Sequence, residues 1–308
     1  MTPVFWVLLG PTAVGKTRTS LLIADRVAVE VVNLDSRQVY KRLDIGTAKP
    51  TREEQIHVPH HMVGIIEPDE RLDAFSYARN ARVCILDIIE RDRIPLVVGG
   101  SGFYLNAILG EFSEDLPAGN DAVRKQLTRS IERDGIETLW KKLELIDPST
   151  ASRLKRTDTA RIIRALEIYN VTGETLSDMN RKYPPKPWGS PRIAVLHMNR
   201  TRLKERIRLR IDSMLNAGWF DEVQSLIQTG YREGSPAMNG LGYEELLEVS
   251  RGNLDINTAR KKIYHRTWRY AKRQFTWFRR YPKEWWFDVE DQDVITNLLA
   301  YFQSGYRA

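Results

Sequence analysis

The chain has 308 residues, of which 42% are hydrophobic and 28% charged, so it can bury one large core and a smaller one. Lysine and arginine together number 47 against 40 acidic residues, which favours a polyanionic partner without identifying it. The single cysteine, Cys84, excludes an internal disulfide framework and fits a packing role in a reducing compartment.

The N-terminal segment and the apolar runs bear on the location of the protein. The first residues, MTPVFWVLLGP, lack the basic region of an export signal. No apolar run approaches the roughly 18 residues that a membrane span needs. We therefore expect a cytoplasmic protein that does not contact a membrane. Separately, we expect a monomer.

Short apolar, β-branched runs bounded by turn residues predict the strands of a sheet. They recur at Val4–Gly10, Glu30–Asp35, Ile94–Gly99 and Arg192–Met198. Amphipathic stretches separate these runs, and that alternation is typical of a parallel sheet with crossover helices. The aromatic segment Glu284–Val289 is ambiguous between an edge strand and a packed loop.

The connection between the third and fourth predicted strands is too long for a simple crossover. Helical patterns occur within it at about Asp121–Leu145, Asp147–Lys155 and Asp158–Thr172. The stiff segment Tyr183–Pro191 ends it. We therefore expect a core of residues 1–110 and 192–308 and an inserted all-helical subdomain of residues 111–191.

The strongest motif lies between the first strand and the amphipathic helix that follows it, and it has the spacing of a P-loop. Its residues are Gly10, Pro11, Thr12, Ala13, Val14, Gly15, Lys16 and Thr17. The glycines let backbone amides converge on phosphate oxygens, and the helix N-terminus adds its positive dipole. Lys16 supplies a point charge, and Thr17 can hold Mg²⁺. The sequence predicts an α/β fold with a P-loop NTPase-like core.

A phosphate loop does not name a reaction, because kinases, ATPases and enzymes that hold a diphosphate share it. The third strand ends LVVGGSG, without the acid that a hydrolase would place there. Asp35 instead closes the second strand, EVVNLDS, and should project from the carboxyl edge of the sheet toward the phosphate loop. An Asp-Ser pair is also typical of a turn cap, so both roles stay open for Asp35.

From Asp35 the chain continues DSRQVYKRLDIGTAKP, and with GPTAVGKT this segment resembles the tRNA dimethylallyltransferase family. Similar segments follow in the family's order, namely VPHHMVG, GGSGFYL, RIIRALEIYNVTG, LGYEEL and TWRYAKRQFTWFR. The resemblance spans nearly the whole chain. It implies transfer of a dimethylallyl group from dimethylallyl diphosphate to the N6 amine of the adenosine 3′-adjacent to the anticodon in tRNA, with release of diphosphate.

The predicted residues suit that chemistry. An allylic diphosphate leaves as a highly charged anion, so the loop amides, Lys16 and a Mg²⁺ on Thr17 would stabilise charge in the transition state. The adenine amine must lose a proton, and a carboxylate is the natural general base. We therefore expect Asp35, Lys16 and Thr17 to be catalytic and Mg²⁺ to be the cofactor, and the resemblance implies the same role for Asp35.

The resemblance also implies contacts with tRNA. The candidates are Asp35, Ser36, Arg37, Gln38, Ser101, Arg124, Arg161 and Arg164. Gln38 could bind an adenine edge through two hydrogen bonds if the base is flipped from its stack. Ser101 stands where the family commonly has Thr and keeps a hydroxyl. Thr159 and Ala160 replace a more usual Pro-Gln before Arg161, which makes them weaker candidates for RNA contact.

Two basic segments follow the insert. Between Thr258 and Tyr281 there are nine lysines and arginines and no acid, interleaved with aromatic residues. A solvated face is one interpretation, but the pattern favours RNA contact, with Lys272 and Arg273 as candidates. Arg206 and Arg210 lie about one helical turn apart and could serve either substrate phosphates or RNA; we favour the diphosphate for both.

The remaining alternatives use the same motifs. Histidines 57, 60 and 61 could suggest a metal cluster, but no cysteine or acidic set completes a zinc pattern. An adenylate isopentenyltransferase would perform the same chemistry on a free nucleotide, which needs neither a helical insert nor a long basic helix. A small-molecule P-loop kinase and a non-catalytic RNA-binding ATPase are further alternatives, disfavoured by DSRQVY and by the missing acid after the third strand.

Overall fold

The computed structural model describes residues 2–231 and 234–304 of the chain. The chain divides into two compact units, Met1–Leu109 with Trp188–Ala308 and, inserted between them, Gly110–Pro187. The second boundary falls four residues before the predicted 191/192. Trp188 already belongs to the core unit, because its backbone N–H donates to the carbonyl of Leu109 (2.9 Å) and Ser190 donates to Pro3 (2.8 Å).

The core unit is built on one sheet. Its strands are β1 Val4–Leu9, β2 Val29–Leu34, β3 His60–His61, β4 Ile94–Gly99, β5 Ser190–His197 and β6 Trp286–Asp288. Their spatial order is β3-β2-β4-β1-β5-β6, and each neighbouring pair is parallel. Helices cover both faces of such a sheet, so the middle of β1, from Phe5 to Leu9, is fully buried.

Fourteen helices accompany the sheet in the described residues. Four precede the insert: α1 Lys16–Ala24, α2 Arg52–His57, α3 Ala74–Glu90 and α4 Gly102–Ile108. Five form the insert: α5 Asp121–Asp134, α6 Ile136–Ile146, α7 Pro148–Ala151, α8 Thr159–Thr172 and α9 Leu176–Lys182. Five follow it: α10 Arg200–Asn216, α11 Trp219–Gln228, α12 Tyr243–Ser250, α13 Ile256–Phe278 and α14 Val294–Gln303.

The predicted α/β fold with a P-loop-like core and an all-helical insert is confirmed. The four long strands lie within two residues of their predicted bounds, because a continuous β-branched run buried on both faces is a strong signal. The ambiguous segment near the C-terminus is a 3₁₀ turn, Lys283–Trp285, followed by edge strand β6. Strand β3 was missed, since two residues give no periodicity.

The helical insert has a hydrophobic core of its own, which includes Leu127, Trp140, Leu143, Ile162 and Leu166. The single helix predicted for its first half is wrong. Gly135 adopts a positive φ of 80° and separates α5 from α6, a conformation that favours glycine. The segment predicted from Asp147 to Lys155 keeps only the short helix α7.

Within the residues that the structure describes, no helix is long and apolar enough to cross a membrane.

Candidate active site

The phosphate loop, residues 10–17, connects β1 to α1. Ala13 and Gly15 both adopt positive φ angles, 65° and 111°, and such alternation turns successive backbone amides toward one side of the chain. The N–H group of Thr19 donates to the carbonyl of Gly15 (3.0 Å) in the regular helical pattern. The N–H groups that precede Thr19 in the first helical turn have no such partner within the helix. The loop therefore presents backbone donors and a helix N-terminus to an anion.

The side chain of Lys16 folds back over the loop. Its ammonium donates to the carbonyls of Gly10 and Pro11, both at 3.0 Å. Removal from water lowers the pKa of Lys16 to about 8, while Asp35 raises it and Arg210 lowers it further. A cation whose charged form is disfavoured in this way gains most when an anion enters the site.

Helix α10 places two arginines, Arg206 and Arg210, beside the loop. Arg206 donates to the carbonyl of Val14 (3.2 Å), and its guanidinium lies 3.4 Å from the position that a side chain on Gly15 would occupy. Arg210 is one turn further along and half-buried. Burial lowers the pKa of Arg210, and the Asp35 carboxylate opposes that effect. Both guanidiniums face the space in front of the loop.

Two cavities meet in front of the carboxyl ends of the strands. The smaller cavity, about 260 Å³, is lined by Lys16, Thr17 and Arg206 among others. The larger cavity, about 470 Å³, has an apolar and aromatic wall formed by Ile207, Ile211, Met214, Trp219 and Tyr243. Six residues line both cavities: Thr12, Ala13, Asp35, Thr47, Arg210 and Tyr270.

Asp35 performs the turn-cap role and also faces the site. Its Oδ1 accepts hydrogen bonds from the backbone N–H groups of Arg37 (2.7 Å) and Gln38 (3.4 Å), so the DSRQ turn is fixed by its own first residue. The carboxylate also lines both cavities. The two roles that the sequence left open for Asp35 are therefore compatible.

The residues after Asp35 are engaged within the protein. Arg37 donates to the carbonyls of Pro236 (3.0 Å) and Ala237, and Ser36 lines the larger cavity. The amide nitrogen of Gln38 donates to the carbonyls of Thr47 (3.1 Å) and Ala48 (3.0 Å). In this arrangement Gln38 cannot supply the two hydrogen bonds predicted for an adenine edge, because its only donor group already holds the loop of residues 44–48.

That loop is held from its other side by Glu222, which the sequence reasoning missed. The Glu222 carboxylate accepts from the backbone N–H groups of residues 44 and 45 (both 2.7 Å) and of Gly46 (3.1 Å). It also accepts from the hydroxyl of Tyr243 at 2.7 Å. The Glu222 carboxylate therefore fixes the loop of residues 44–48, which forms part of the wall of both cavities.

Helix α13 contributes two further residues that the sequence reasoning did not select for the site. Tyr270 lines both cavities, and burial together with nearby Asp35 raises its pKa. Gln274 is buried and bonds to the phosphate loop. Of the predicted RNA residues on this helix, Arg273 lines the larger cavity and Lys272 is exposed. The only available signal was the period of the helix, which puts residues 270 and 274 on one face.

The arginines predicted for RNA in the insert have partners inside that unit. Arg124 and Arg164 both contact the carboxylate of Glu167, at 2.8 and 2.7 Å, and the Glu167 side chain is 1% exposed. Arg161 pairs with Asp158 at 3.0 Å and is largely exposed. The structure thus gives Arg124 and Arg164 an internal structural role that the sequence did not predict.

Ser101 precedes helix α4 and makes no side-chain capping bond there. The histidines do not converge: His57 contacts Asp25 (2.8 Å) and His61 contacts Glu30 (2.7 Å). His60 contacts the carbonyl of Val58 at 2.7 Å. Among the residues that the structure describes, no three His, Cys, Asp or Glu side chains form a metal cluster.

The oxygen donors at the smaller cavity fit Mg²⁺. The Thr17 hydroxyl and the Asp35 carboxylate both line it, beside three cations that would hold phosphate oxygens. Mg²⁺ commonly takes one or two protein oxygens and completes its coordination with phosphate and water. A dedicated protein cage is not needed for such a site.

The sheet, the phosphate loop and the cationic cavity define the class of P-loop-like α/β proteins. The family model for IPP transferase matches residues 38–281, and the model for isopentenyl transferase matches residues 3–59. The chain belongs to the IPP transferase family, which confirms the resemblance seen in its motifs.

Individual relatives agree with that assignment. The chain is 42% identical over 289 residues to tRNA dimethylallyltransferase 1 of Syntrophotalea carbinolica, covering 93% of this chain and 91% of that protein. It is 39% identical over 288 residues to the tRNA dimethylallyltransferase of Natranaerobius thermophilus, covering 93% and 86%. The crystal structure of the full-length tRNA isopentenylpyrophosphate transferase from Bacillus halodurans matches with a TM-score of 0.70 at 34% identity, covering 98% and 97%.

Proposed function

We propose that this protein transfers a dimethylallyl group from dimethylallyl diphosphate to the N6 amine of the adenosine 3′-adjacent to the anticodon of tRNA. Family membership and the names of the relatives support the reaction class. The observation that carries the proposal is the position of Asp35, where a small cationic cavity meets a larger apolar and aromatic one. Such a junction suits a reaction in which the diphosphate anion leaves on one side and the adenine amine attacks from the other.

The smaller cavity would hold the diphosphate. The loop amides, Lys16, Arg206 and Arg210 surround it with positive charge, and each contact strengthens as the leaving group gains charge in the transition state. Lys16 would exchange its bonds to loop carbonyls for bonds to phosphate oxygens. Mg²⁺ held by the Thr17 hydroxyl would neutralise part of the diphosphate charge and so make it a better leaving group.

The larger cavity would hold the flipped adenine and the prenyl group against its apolar wall. The adenine N6 attacks C1 of the dimethylallyl group, a new C–N bond forms, and the C–O bond breaks with its electron pair passing to diphosphate. The amine proton passes to the carboxylate of Asp35, the general base. Because Asn at this position would retain the turn cap, the two roles of Asp35 are separable by experiment.

The basic face of α13 would contact the tRNA backbone. Lys272 is exposed and Arg273 lines the cavity proposed for the adenine, so phosphate contacts here would lie beside the reacting base. RNA contact by the insert through Arg161 stays a prediction. The monomeric state and the cytoplasmic location expected from the sequence also stay predictions.

The proposal is tested by offering labelled dimethylallyl diphosphate with tRNA, AMP or ATP in separate reactions, each with and without Mg²⁺. We expect label on tRNA alone and only with Mg²⁺, because a free nucleotide cannot use the basic face of α13. Asp35→Asn serves as the matched control for background transfer. Efficient labelling of AMP with none on tRNA would establish the adenylate isopentenyltransferase alternative instead.

A further inference from the structure

Gln274 uses both ends of its side-chain amide inside the protein. Its Oε1 accepts a hydrogen bond from the backbone N–H of Thr12 at 2.8 Å, and its Nε2 donates to the carbonyl of Gly100 at 3.0 Å. The residue is 5% exposed, so neither bond competes with bulk water. A buried amide with a specific partner at each end fixes the orientation of the groups around it.

The two partners of Gln274 follow different strands of the sheet. Thr12 lies in the phosphate loop after β1, whereas Gly100 follows β4. The backbone N–H of Gly100 in turn donates to the carbonyl of Leu34 (3.2 Å), the last residue of β2 before Asp35. A side chain on Gly100 would begin 2.1 Å from the Gln274 amide nitrogen, so the two residues are closely packed. The side-chain amide of Gln274 therefore connects the phosphate loop, through Gly100, to the end of strand β2, directly before the proposed general base Asp35.

The bond to Thr12 also determines which amides can face a ligand. The Thr12 N–H donates to Gln274, and the Val14 N–H donates to Pro11 (3.3 Å), so both donors are already used within the protein. The next turn of the loop has positive φ angles at Ala13 and Gly15, and both residues line the smaller cavity together with Gln274. The bond that fixes Thr12 therefore fixes the start of the loop segment that contains Ala13 and Gly15.

We propose that Gln274 is a positioning residue for the diphosphate, which holds the phosphate loop in its anion-binding conformation from helix α13. The inference rests on the proposed diphosphate-binding function. A role in packing alone would be satisfied by any side chain of the same shape. A positioning role requires one acceptor toward Thr12 and one donor toward Gly100, in that orientation.

Two variants separate these roles. Gln274→Met keeps the length of the side chain and loses both hydrogen bonds. Gln274→Glu keeps the acceptor for Thr12 but places a second oxygen against the Gly100 carbonyl, which is repulsive while the carboxyl is ionised. A protonated carboxyl again has one donor and one acceptor, so it reproduces the amide. The glutamate variant should therefore recover as pH falls, which a packing role would not produce.

The test measures the affinity of inorganic pyrophosphate with Mg²⁺ by calorimetry, for each variant relative to the unaltered protein at the same pH. We expect Gln274→Met to bind on the order of 10- to 100-fold more weakly, as two lost hydrogen bonds imply. Gln274→Glu should bind about as weakly near pH 8 and recover on the order of tenfold near pH 5. Thr276→Ala, an exposed position on the same helix whose hydroxyl donates to the Lys272 carbonyl, should bind normally.

The outcomes are distinct. Binding by Gln274→Met within about twofold of the unaltered protein, or a pH-independent defect in Gln274→Glu, overturns the positioning role. Recovery on lowering the pH also shows that the glutamate variant is folded, because a misfolded protein would not regain affinity. If the unaltered protein itself fails to bind pyrophosphate, the proposed diphosphate site is wrong and this inference falls with it.

Discussion

The ammonium of Lys16 and the carbonyl oxygen of Gly10 lie 3.0 Å apart across the phosphate loop. The proposed diphosphate ligand and the backbone of the loop therefore compete for the same cation. Since burial lowers the pKa of Lys16 to about 8, its charge titrates in an accessible range.

The affinity for pyrophosphate should fall as pH rises above about 8, because only the charged form of Lys16 attracts the anion. Lys16→Arg should show little change over the same range, since a guanidinium stays protonated. The free energy of folding depends on pH in the opposite sense. Because the pKa of Lys16 is lower in the folded protein than in the unfolded chain, its charge destabilises the folded protein fully below about pH 8. This destabilisation is lost as pH rises from about 8 to the ordinary lysine value of 10.5. Calorimetric titrations of both proteins at matched ionic strength measure the binding effect, and equal slopes would remove Lys16 from the site.

Lys16→Ala should impair the use of dimethylallyl diphosphate far more than it impairs tRNA binding. The ammonium lies in the smaller cavity and its contribution grows as the leaving group gains charge. Steady-state kinetics with varied diphosphate, combined with a filter-binding assay for tRNA, separates the two effects. Unchanged turnover would contradict the proposed role.

Asp35→Asn should lower the rate of transfer by about 10²- to 10⁴-fold with little change in tRNA affinity. The asparagine Oδ1 still accepts from the Arg37 N–H, so the turn persists while the base is lost. Asp35→Ala removes both functions and serves as the comparison. A single-turnover measurement with saturating substrates excludes binding from the rate. Loss of tRNA affinity with a normal rate would make Asp35 a recognition residue.

Replacing Lys272 and Arg273 together by Ala should weaken tRNA binding and reduce its dependence on salt. Each lost phosphate contact lowers the slope of log affinity against log salt by roughly 0.7 to 0.9. The matched control removes two cations elsewhere, Lys41 and Arg42, both within 4 Å of Glu67. An original slope in the first variant would indicate that these residues form only a solvated face.

Arg164→Ala should lower the free energy of unfolding of the helical insert by about 1–3 kcal/mol, because it leaves the buried Glu167 carboxylate short of a partner. Arg161→Ala, which removes an exposed pair with Asp158, should change it by less than about 1 kcal/mol. Denaturant unfolding followed by circular dichroism measures both. Equal effects would contradict the internal structural role of Arg164.

Local sequence patterns predicted the long strands and the phosphate loop. They could not predict contacts between residues that lie far apart in the chain. The phosphate loop was recognisable because eight consecutive residues define it, and the long strands were recognisable from their buried β-branched runs. The bond between Thr12 and Gln274 joins residues 262 positions apart, and Glu222 reaches the backbone of residue 44 across 178 positions. No local pattern encodes such pairings. The break at Gly135, by contrast, had a visible signal in the glycine itself.

The sheet order places a single strand, β4, between strand β2, which ends directly before Asp35, and strand β1, which leads into the phosphate loop. Neighbouring strands lie about 4.8 Å apart, so the backbone ladder sets a spacing of about 10 Å between these two ends. Strand β4 ends at Gly99 and is followed by Gly100, and neither residue presents a side chain to the gap. The distance between the proposed general base, Asp35, and the phosphate loop is therefore set by hydrogen-bonded main chain. Substitutions among the side chains that line the cavities can change which substrate binds, but they do not change this distance.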